Sequence, residues 1–186
     1  HVQRLKSGET SPYDAFAYLN RVAGAPLEGE TPETYAGNVL FSRLANIEGR
    51  IQLKVVKGFG KEEYLGYKSF MRAWPDEEGI AVGNCVVCHT PASFGGSDAK
   101  PAPSLRNLKK STEDLKKIVQ QKVELSKKAN AGDSSVDPAY KLLVLDDAVL
   151  DNLVAFLKSL DEIPHYDFRQ IIVDATILDT SDFHTL

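Results

Sequence analysis

The sequence predicts a mainly helical protein, and three observations support that fold class. Apolar residues recur at spacings of three and four in several long segments, as they do along one face of a helix. Residues that favour a helix start precede two of these segments, at Thr31-Pro32-Glu33 and at Ser111-Thr112-Glu113-Asp114. Prolines that would stop a helix follow two of them, at Pro75 and Pro164. With 186 residues, the chain has the length of one domain, or of one domain with an extension.

Residues 1–75 are predicted to form a helical N-terminal extension. A short helix is expected from Pro12 to Val22, and a second from the Thr31 cap to about Glu48. A third is expected from Glu62 to Trp74. Residues 51–56 fit either a strand or a continued helix, and the pattern does not decide between them.

One short stretch, Cys85-Val86-Val87-Cys88-His89, indicates a specific chemistry. Cys-x-x-Cys-His is the attachment motif of c-type haem. Its two thiols can add across the two vinyl groups of a haem, and the next residue can then direct an imidazole nitrogen at the iron. The motif predicts one covalent haem c, bound through Cys85 and Cys88, with His89 as the proximal iron ligand.

Three other interpretations of this motif compete with haem. A structural zinc site needs two further Cys or His ligands, but the chain has two cysteines in all and its other histidines are distant in sequence. A thioredoxin-type redox motif is expected beside a strand in a βαβ unit, and no such pattern is visible. A disulfide between Cys85 and Cys88 would close a very small loop.

The part of the chain after the motif predicts two further helices. A loop with Gly95 and Gly96 covers residues 91–104. A helix then begins at the Ser111 cap, with Asp114 completing a capping box, and continues through Val123. After a loop at residues 129–138, Asp146 can cap a final amphipathic helix from Asp147 to Leu160.

Residues 165–186 are predicted to form a short extended C-terminal arm. The segment 169–178 is rich in β-branched residues, which favour extended structure. A single strand needs a pairing partner. We expect the arm to pair either with residues 51–56 or with a second chain, and the second case would make this chain part of an oligomer or complex.

Residues 76–164 resemble a class I c-type cytochrome. The resemblance lies in a short helix at 77–84, the Cys-x-x-Cys-His motif, the run Pro103-Ser104-Leu105-Arg106-Asn107 and the closing helix. That run is similar, more narrowly, to the haem domains of the bacterial di-haem cytochrome c peroxidase family, which carry two haem motifs where this chain has one. The resemblance covers residues 76–164 as a haem domain, and the segments on either side of it are predicted to be an N-terminal extension at 1–75 and a C-terminal arm at 165–186.

The same resemblance implies further residues around the haem. The carbonyl of Pro103, with Pro101 as the competitor, would accept the second N–H of the proximal imidazole and tune the iron. Arg106 would meet a haem propionate, or else be an ordinary solvated arginine. Asp137 stands where class I electron carriers have their distal methionine, so another group must fill the sixth iron position or leave it open.

Met71 is the one methionine of the chain and therefore a candidate distal ligand, because a thioether is a common sixth ligand in electron-carrying haem proteins. The alternative is that it fills the core. The N-terminal extension accordingly has two interpretations. Its apolar faces either pad the haem domain or cover the distal side of the haem.

The chain is predicted to be a single-electron carrier in the periplasm or a comparable exported compartment. Haem attachment outside the inner membrane is implied by the resemblance, and the absence of a signal peptide suggests a processed or truncated form. No apolar run approaches the roughly 18 residues of a membrane span. The net charge of −4 does not favour nucleic acid.

Lysines are concentrated between Lys109 and Lys128 of this acidic chain. They form either a solvated helix face or a docking surface for an acidic redox partner. The competing function is a haem enzyme or sensor that binds peroxide or a small gas at an open sixth site. The sequence favours the electron carrier over the enzyme or sensor.

Overall fold

The computed structural model describes residues 10–44, 56–73, 83–97, 100–143 and 145–163. Across these residues the structure is helical, and the extended pairings within them are two isolated bridges, Val56 with Phe59 and Thr90 with Gly95. The predicted mainly helical fold class is confirmed. None of the helices described is long and apolar enough to cross a membrane.

The N-terminal segment contains two α-helices that begin at hydrogen-bonded caps. Helix α1 spans Pro12–Leu19, and the Ser11 hydroxyl accepts a hydrogen bond from the Asp14 backbone N–H. Helix α2 spans Pro32–Gly37, starts at the predicted Thr31 cap and continues as a π-helix over Asn38–Leu44. Helix α1 ends three residues before the predicted end at Val22, because Arg21 adopts a left-handed φ of 53°.

Three longer helices form the rest of the fold. Helix α3 spans Lys61–Met71, α4 spans Thr112–Asn130 and α5 spans Asp147–Lys158. The predicted caps of α4 and α5 are confirmed: the Ser111 hydroxyl accepts from the Asp114 N–H at 3.1 Å, and the Asp146 carboxylate accepts from the Val149 N–H at 2.7 Å. Two short 3₁₀ helices, Cys85–Val87 and Pro138–Leu142, lie between them.

Several predicted features fall outside the described residues. They are the C-terminal arm at 165–186, residues 51–55, both helix-ending prolines and all but the last two residues of the helix predicted at 77–84. Gly83 and Asn84, those last two residues, are described and are not helical. Helix α3 also ends earlier than Trp74, because Arg72 already has the extended dihedrals φ −73° and ψ 107°.

Helices α3 and α5 approach each other at Gly66. A Cβ atom on Gly66 would overlap the backbone carbonyl of Asn152 and the Cβ of Phe156, so a residue without a side chain is needed at this contact. The close approach buries the apolar stripe of α5, including Leu153 and Phe156, against α3.

One aromatic core joins the N-terminal segment to the remainder of the protein. Phe16 of α1 stacks on Phe59 with ring centroids 4.1 Å apart, and Tyr13 meets Phe94 edge-on at 5.1 Å. Phe94 in turn lies 5.8 Å from Phe156 of α5. These contacts support the interpretation that the extension pads the haem domain. The division at residues 75 and 76 stays a prediction.

We expect Gly66→Ala to destabilise the protein by about 3 kcal/mol, because backbone atoms of α5 cannot move away from the added methyl group without separating the two helices. Thermal or denaturant unfolding measures this change. Gly60→Ala is the matched control, since the nearest atom to its Cβ would be 3.7 Å away. Equal loss in the two variants would contradict the close helix contact.

Candidate functional site

The Cys-x-x-Cys-His motif folds into a single tight turn. The 3₁₀ helix Cys85–Val87 is closed by the backbone N–H groups of Cys88 and His89, which both donate to the Cys85 carbonyl, at 3.2 and 2.8 Å. Val86 and Val87 are buried in the core. The turn therefore leaves Cys85, Cys88 and His89 to line one shared cavity.

Gly83 and Asn84 hold this turn against two other elements. Gly83 has a φ of 86° and lies so close to the Ser69 carbonyl of α3 that a Cβ would overlap it. The Asn84 backbone N–H donates to the Arg72 carbonyl at 2.7 Å, and its side-chain amide donates to the Ala139 carbonyl at 2.8 Å. The end of α3 and the second 3₁₀ helix thus position the motif.

The cavity has a volume of about 260 Å³ and mostly apolar walls. Its apolar lining comes from α3, α4, α5 and the loops between them: Phe70, Pro103, Leu105, Ile118, Val119, Ala139, Leu143, Leu153 and Leu157. Polar side chains at the same cavity are Asn84, Lys122, Asp137 and Tyr140. An apolar slot with a few polar groups is typical of a cofactor site.

The imidazole of His89 is held in one tautomer. Its Nδ1 lies 3.1 Å from the carbonyl oxygen of Phe94, and since a carbonyl only accepts, Nδ1 carries the proton. Burial lowers the pKa of His89, while the backbone carbonyls of Phe94 and Pro103 act in the opposite direction and the positive charge of Lys122 lowers it further. A neutral ring with a protonated Nδ1 leaves the Nε2 lone pair available to a metal ion.

The two thiols are free and weakly acidic. Burial raises the pKa of Cys85 to about 12, with a smaller contribution from the neighbouring Cys88, and burial also raises the pKa of Cys88. This direction does not match the lowered thiol pKa of thioredoxin-type cysteines. Nor does the described part of the chain contain a group of three or more Cys, His, Asp or Glu side chains arranged as zinc ligands.

This donor set fits a covalently bound haem. Two protonated thiols and one neutral imidazole lie on the same apolar cavity, and the imidazole already has the second hydrogen bond that orients a metal-bound histidine. Cys85 and Cys88 would hold the porphyrin, and His89 would bind its iron.

The comparisons with known proteins agree with this chemistry. The sequence model of the family described as Cytochrome c matches residues 66–161, more than half of the chain. The chain therefore belongs to the cytochrome c family, and membership implies haem c binding, electron transfer and a redox protein partner. No match was found among curated proteins or among solved structures. The similarity to the di-haem peroxidase family stays a prediction.

Pro103 lines the cavity, but the hydrogen bond from Nδ1 of His89 goes to the carbonyl of Phe94. The Pro103 carbonyl raises the pKa of the same ring, whereas the 3.1 Å hydrogen bond at Nδ1 is to the Phe94 carbonyl. The sequence offered no signal for Phe94, because this hydrogen bond depends on how the loop after the motif folds back. The predicted role of Pro103 stays a prediction.

Arg106 has a partner that the sequence did not indicate. Its guanidinium forms two hydrogen bonds with the carboxylate of Asp14, at 2.9 and 3.0 Å, and its side chain is only 5% exposed. The alternative of a solvated arginine is therefore wrong. Arg106 is not among the residues that line the cavity, and its contact with a haem propionate stays a prediction.

Met71 is completely buried in the core at the end of α3. It is absent from the described cavity lining, although the adjacent Phe70 belongs to it. This position supports the alternative that Met71 fills the core. Its role as a distal ligand stays a prediction.

Proposed function

We propose that this protein is a mono-haem c-type cytochrome that transfers single electrons between redox partners in the periplasm or a comparable exported compartment. The observation that carries the proposal is the joint position of Cys85, Cys88 and His89 on one apolar cavity within a cytochrome c family domain. A single Cys-x-x-Cys-His motif supports one haem per chain.

Each of the three motif side chains has a defined task in this proposal. The Cys85 and Cys88 sulfurs would hold the haem through two thioether bonds, and the His89 Nε2 would bind the iron while its Nδ1–H donates to the Phe94 carbonyl. The bound haem supplies a one-electron couple. The apolar walls from α4 and α5 exclude water from the cofactor, and this low polarity contributes to its reduction potential.

Both cysteines of the motif take part in the proposed haem attachment. The chain has two cysteines in all, so attachment of haem to both would leave none for a disulfide. Their apolar surroundings raise the pKa of both thiols.

We expect the purified, exported protein to absorb as a c-type cytochrome and to keep its haem in acidified acetone, because two thioether bonds hold the porphyrin. Mass spectrometry should show one haem added per chain. Cys85→Ser with Cys88→Ser should release the haem under the same extraction, and Ser93→Ala, outside the motif, is the control. A colourless wild-type protein, or one that loses its haem to the acid, would refute the assignment.

The second candidate function is a haem enzyme or sensor with an exchangeable sixth iron site. One observation favours it: the described cavity lining offers Lys122, Asp137 and Tyr140 as polar groups, while Met71 lies in the core. The part of the cavity lining that the structure describes contains no methionine, so a small molecule would have access to a sixth iron position that no thioether fills.

The optical spectrum separates the two functions. For the carrier we expect a low-spin, six-coordinate iron in both oxidation states, unchanged by carbon monoxide or by peroxide, because a resident ligand blocks the sixth position. Rapid carbon monoxide binding to the reduced protein would instead favour the enzyme or sensor. Met71→Ala tests the thioether separately: an unaltered spectrum and potential would remove Met71 as a ligand.

A positively charged surface on α4 supports an acidic redox partner. Lys117, Lys122 and Lys128 are exposed on this helix, and Lys109 and Lys110 are exposed in the segment before it. Lys122 also lines the cavity, which places a positive charge beside the cofactor site. Two other lysines are partly neutralised, since Lys116 pairs with Asp151 and Lys127 with Glu124, each at 2.6 Å.

We expect the oxidation of the reduced protein by ferricyanide, an anionic acceptor, to slow as salt is added, because salt screens its attraction to the α4 lysines. Lys117→Glu should lower the rate at low salt roughly twofold. Lys61→Glu on α3 changes the net charge equally and serves as the matched control. Rates independent of salt, or equal losses in both variants, would contradict docking at α4.

A further inference from the structure

We propose that the buried Asp14–Arg106 ion pair is a positioning device for the proximal histidine. In this inference, helix α1 contributes to the haem site through Asp14, which aligns Arg106 and thereby the Phe94 carbonyl that accepts from His89. The inference rests on the proposed haem function and adds to it two positioning residues outside the motif.

The Asp14–Arg106 ion pair is bidentate and buried. Both terminal nitrogens of the Arg106 guanidinium donate to the Asp14 carboxylate, at 2.9 and 3.0 Å, in the bidentate arrangement that fixes both planes. The Asp14 side chain is fully buried and that of Arg106 is 5% exposed. Two charges removed from water to this degree are strongly held by each other and by their other hydrogen bonds.

Arg106 connects the ion pair to the loop after the haem motif, whose Phe94 carbonyl accepts from His89. Its Nε donates to the Ala92 carbonyl at 2.7 Å, and its guanidinium lies over the Phe94 ring at 5.3 Å from the centroid. The preceding residue, Leu105, donates its backbone N–H to the Phe94 carbonyl at 3.1 Å. The carbonyl that accepts from His89 Nδ1 is therefore held by the segment that ends at Arg106.

Asp14 is itself fixed at the first turn of α1. The Ser11 hydroxyl and backbone N–H both donate to its Oδ2, at 2.9 and 3.3 Å. The adjacent Tyr13 packs edge-on against the Phe94 ring at 5.1 Å. The helix start and the loop after the haem motif thus form one connected unit, although Asp14 and Arg106 are 92 residues apart in sequence.

The consequence concerns the iron. A strong hydrogen bond at Nδ1 makes the imidazole a more basic ligand, and a more basic ligand favours oxidised iron. When the Arg106 guanidinium no longer bonds both Asp14 and the Ala92 carbonyl, the Phe94 carbonyl loses its alignment with Nδ1 of His89. The hydrogen bond between Nδ1 and that carbonyl then weakens. The reduction potential should then rise, even where the charge at position 106 is preserved.

The test uses the haem-loaded protein and two variants that keep both charges. Arg106→Lys retains the positive charge but lacks the planar fork, and Asp14→Glu retains the carboxylate but displaces it. Lys116→Arg, in the exposed pair with Asp151, is the matched control. The measurements are the reduction potential and the hyperfine-shifted proton resonances of the His89 ring in the oxidised protein.

We expect Arg106→Lys and Asp14→Glu each to raise the potential and to shift the His89 resonances, while Lys116→Arg leaves both unchanged. A folded, red variant whose potential and His89 resonances equal those of the wild type would overturn the inference, even if its melting temperature fell, since the pair would then be purely structural. Failure of the wild type itself to bind haem covalently would be a different outcome, because it would refute the proposed function.

Discussion

The close approach of α3 and α5 at Gly66 is the constraint on which the rest of the structure depends. It places the end of α3 where the Arg72 carbonyl can accept from Asn84 and where Gly83 can fit against Ser69. The haem motif begins at Cys85, directly after Asn84. A looser helix contact would move the anchor of the motif and, with it, the cavity that α5 helps to line.

Burial has opposite consequences for different groups at this site, and the fold uses both. Desolvation raises the pKa of the two cysteines and keeps them as thiols, while it lowers the pKa of His89 and keeps the ring neutral. Hydrogen bonding then selects which nitrogen of that neutral ring is free. The resulting set of two thiols and one neutral imidazole fits covalent haem attachment.

The N-terminal segment contributes both to the core and to the surroundings of the haem motif. Its aromatic side chains share one core with α5, and its Asp14 reaches the loop beside the motif through Arg106. A buried, bidentate ion pair is expensive to assemble and severely destabilising to break by removing one partner. Such a pair therefore couples the stability of α1 to the geometry of the proximal loop.

The sequence by itself determined the features that rest on local interactions. The motif and the caps at Thr31, Ser111 and Asp146 involve residues within three or four positions of one another, so they could be predicted from spacing alone. The helix ends could not be predicted from spacing in the same way: α1 ends at Leu19 rather than Val22, because Arg21 adopts a left-handed φ. Only the tertiary structure decided that Phe94 accepts from His89, that Arg106 pairs with Asp14 and that Met71 is in the core. Those outcomes depend on packing between distant segments, and the sequence pattern near each residue does not encode which distant group will meet it.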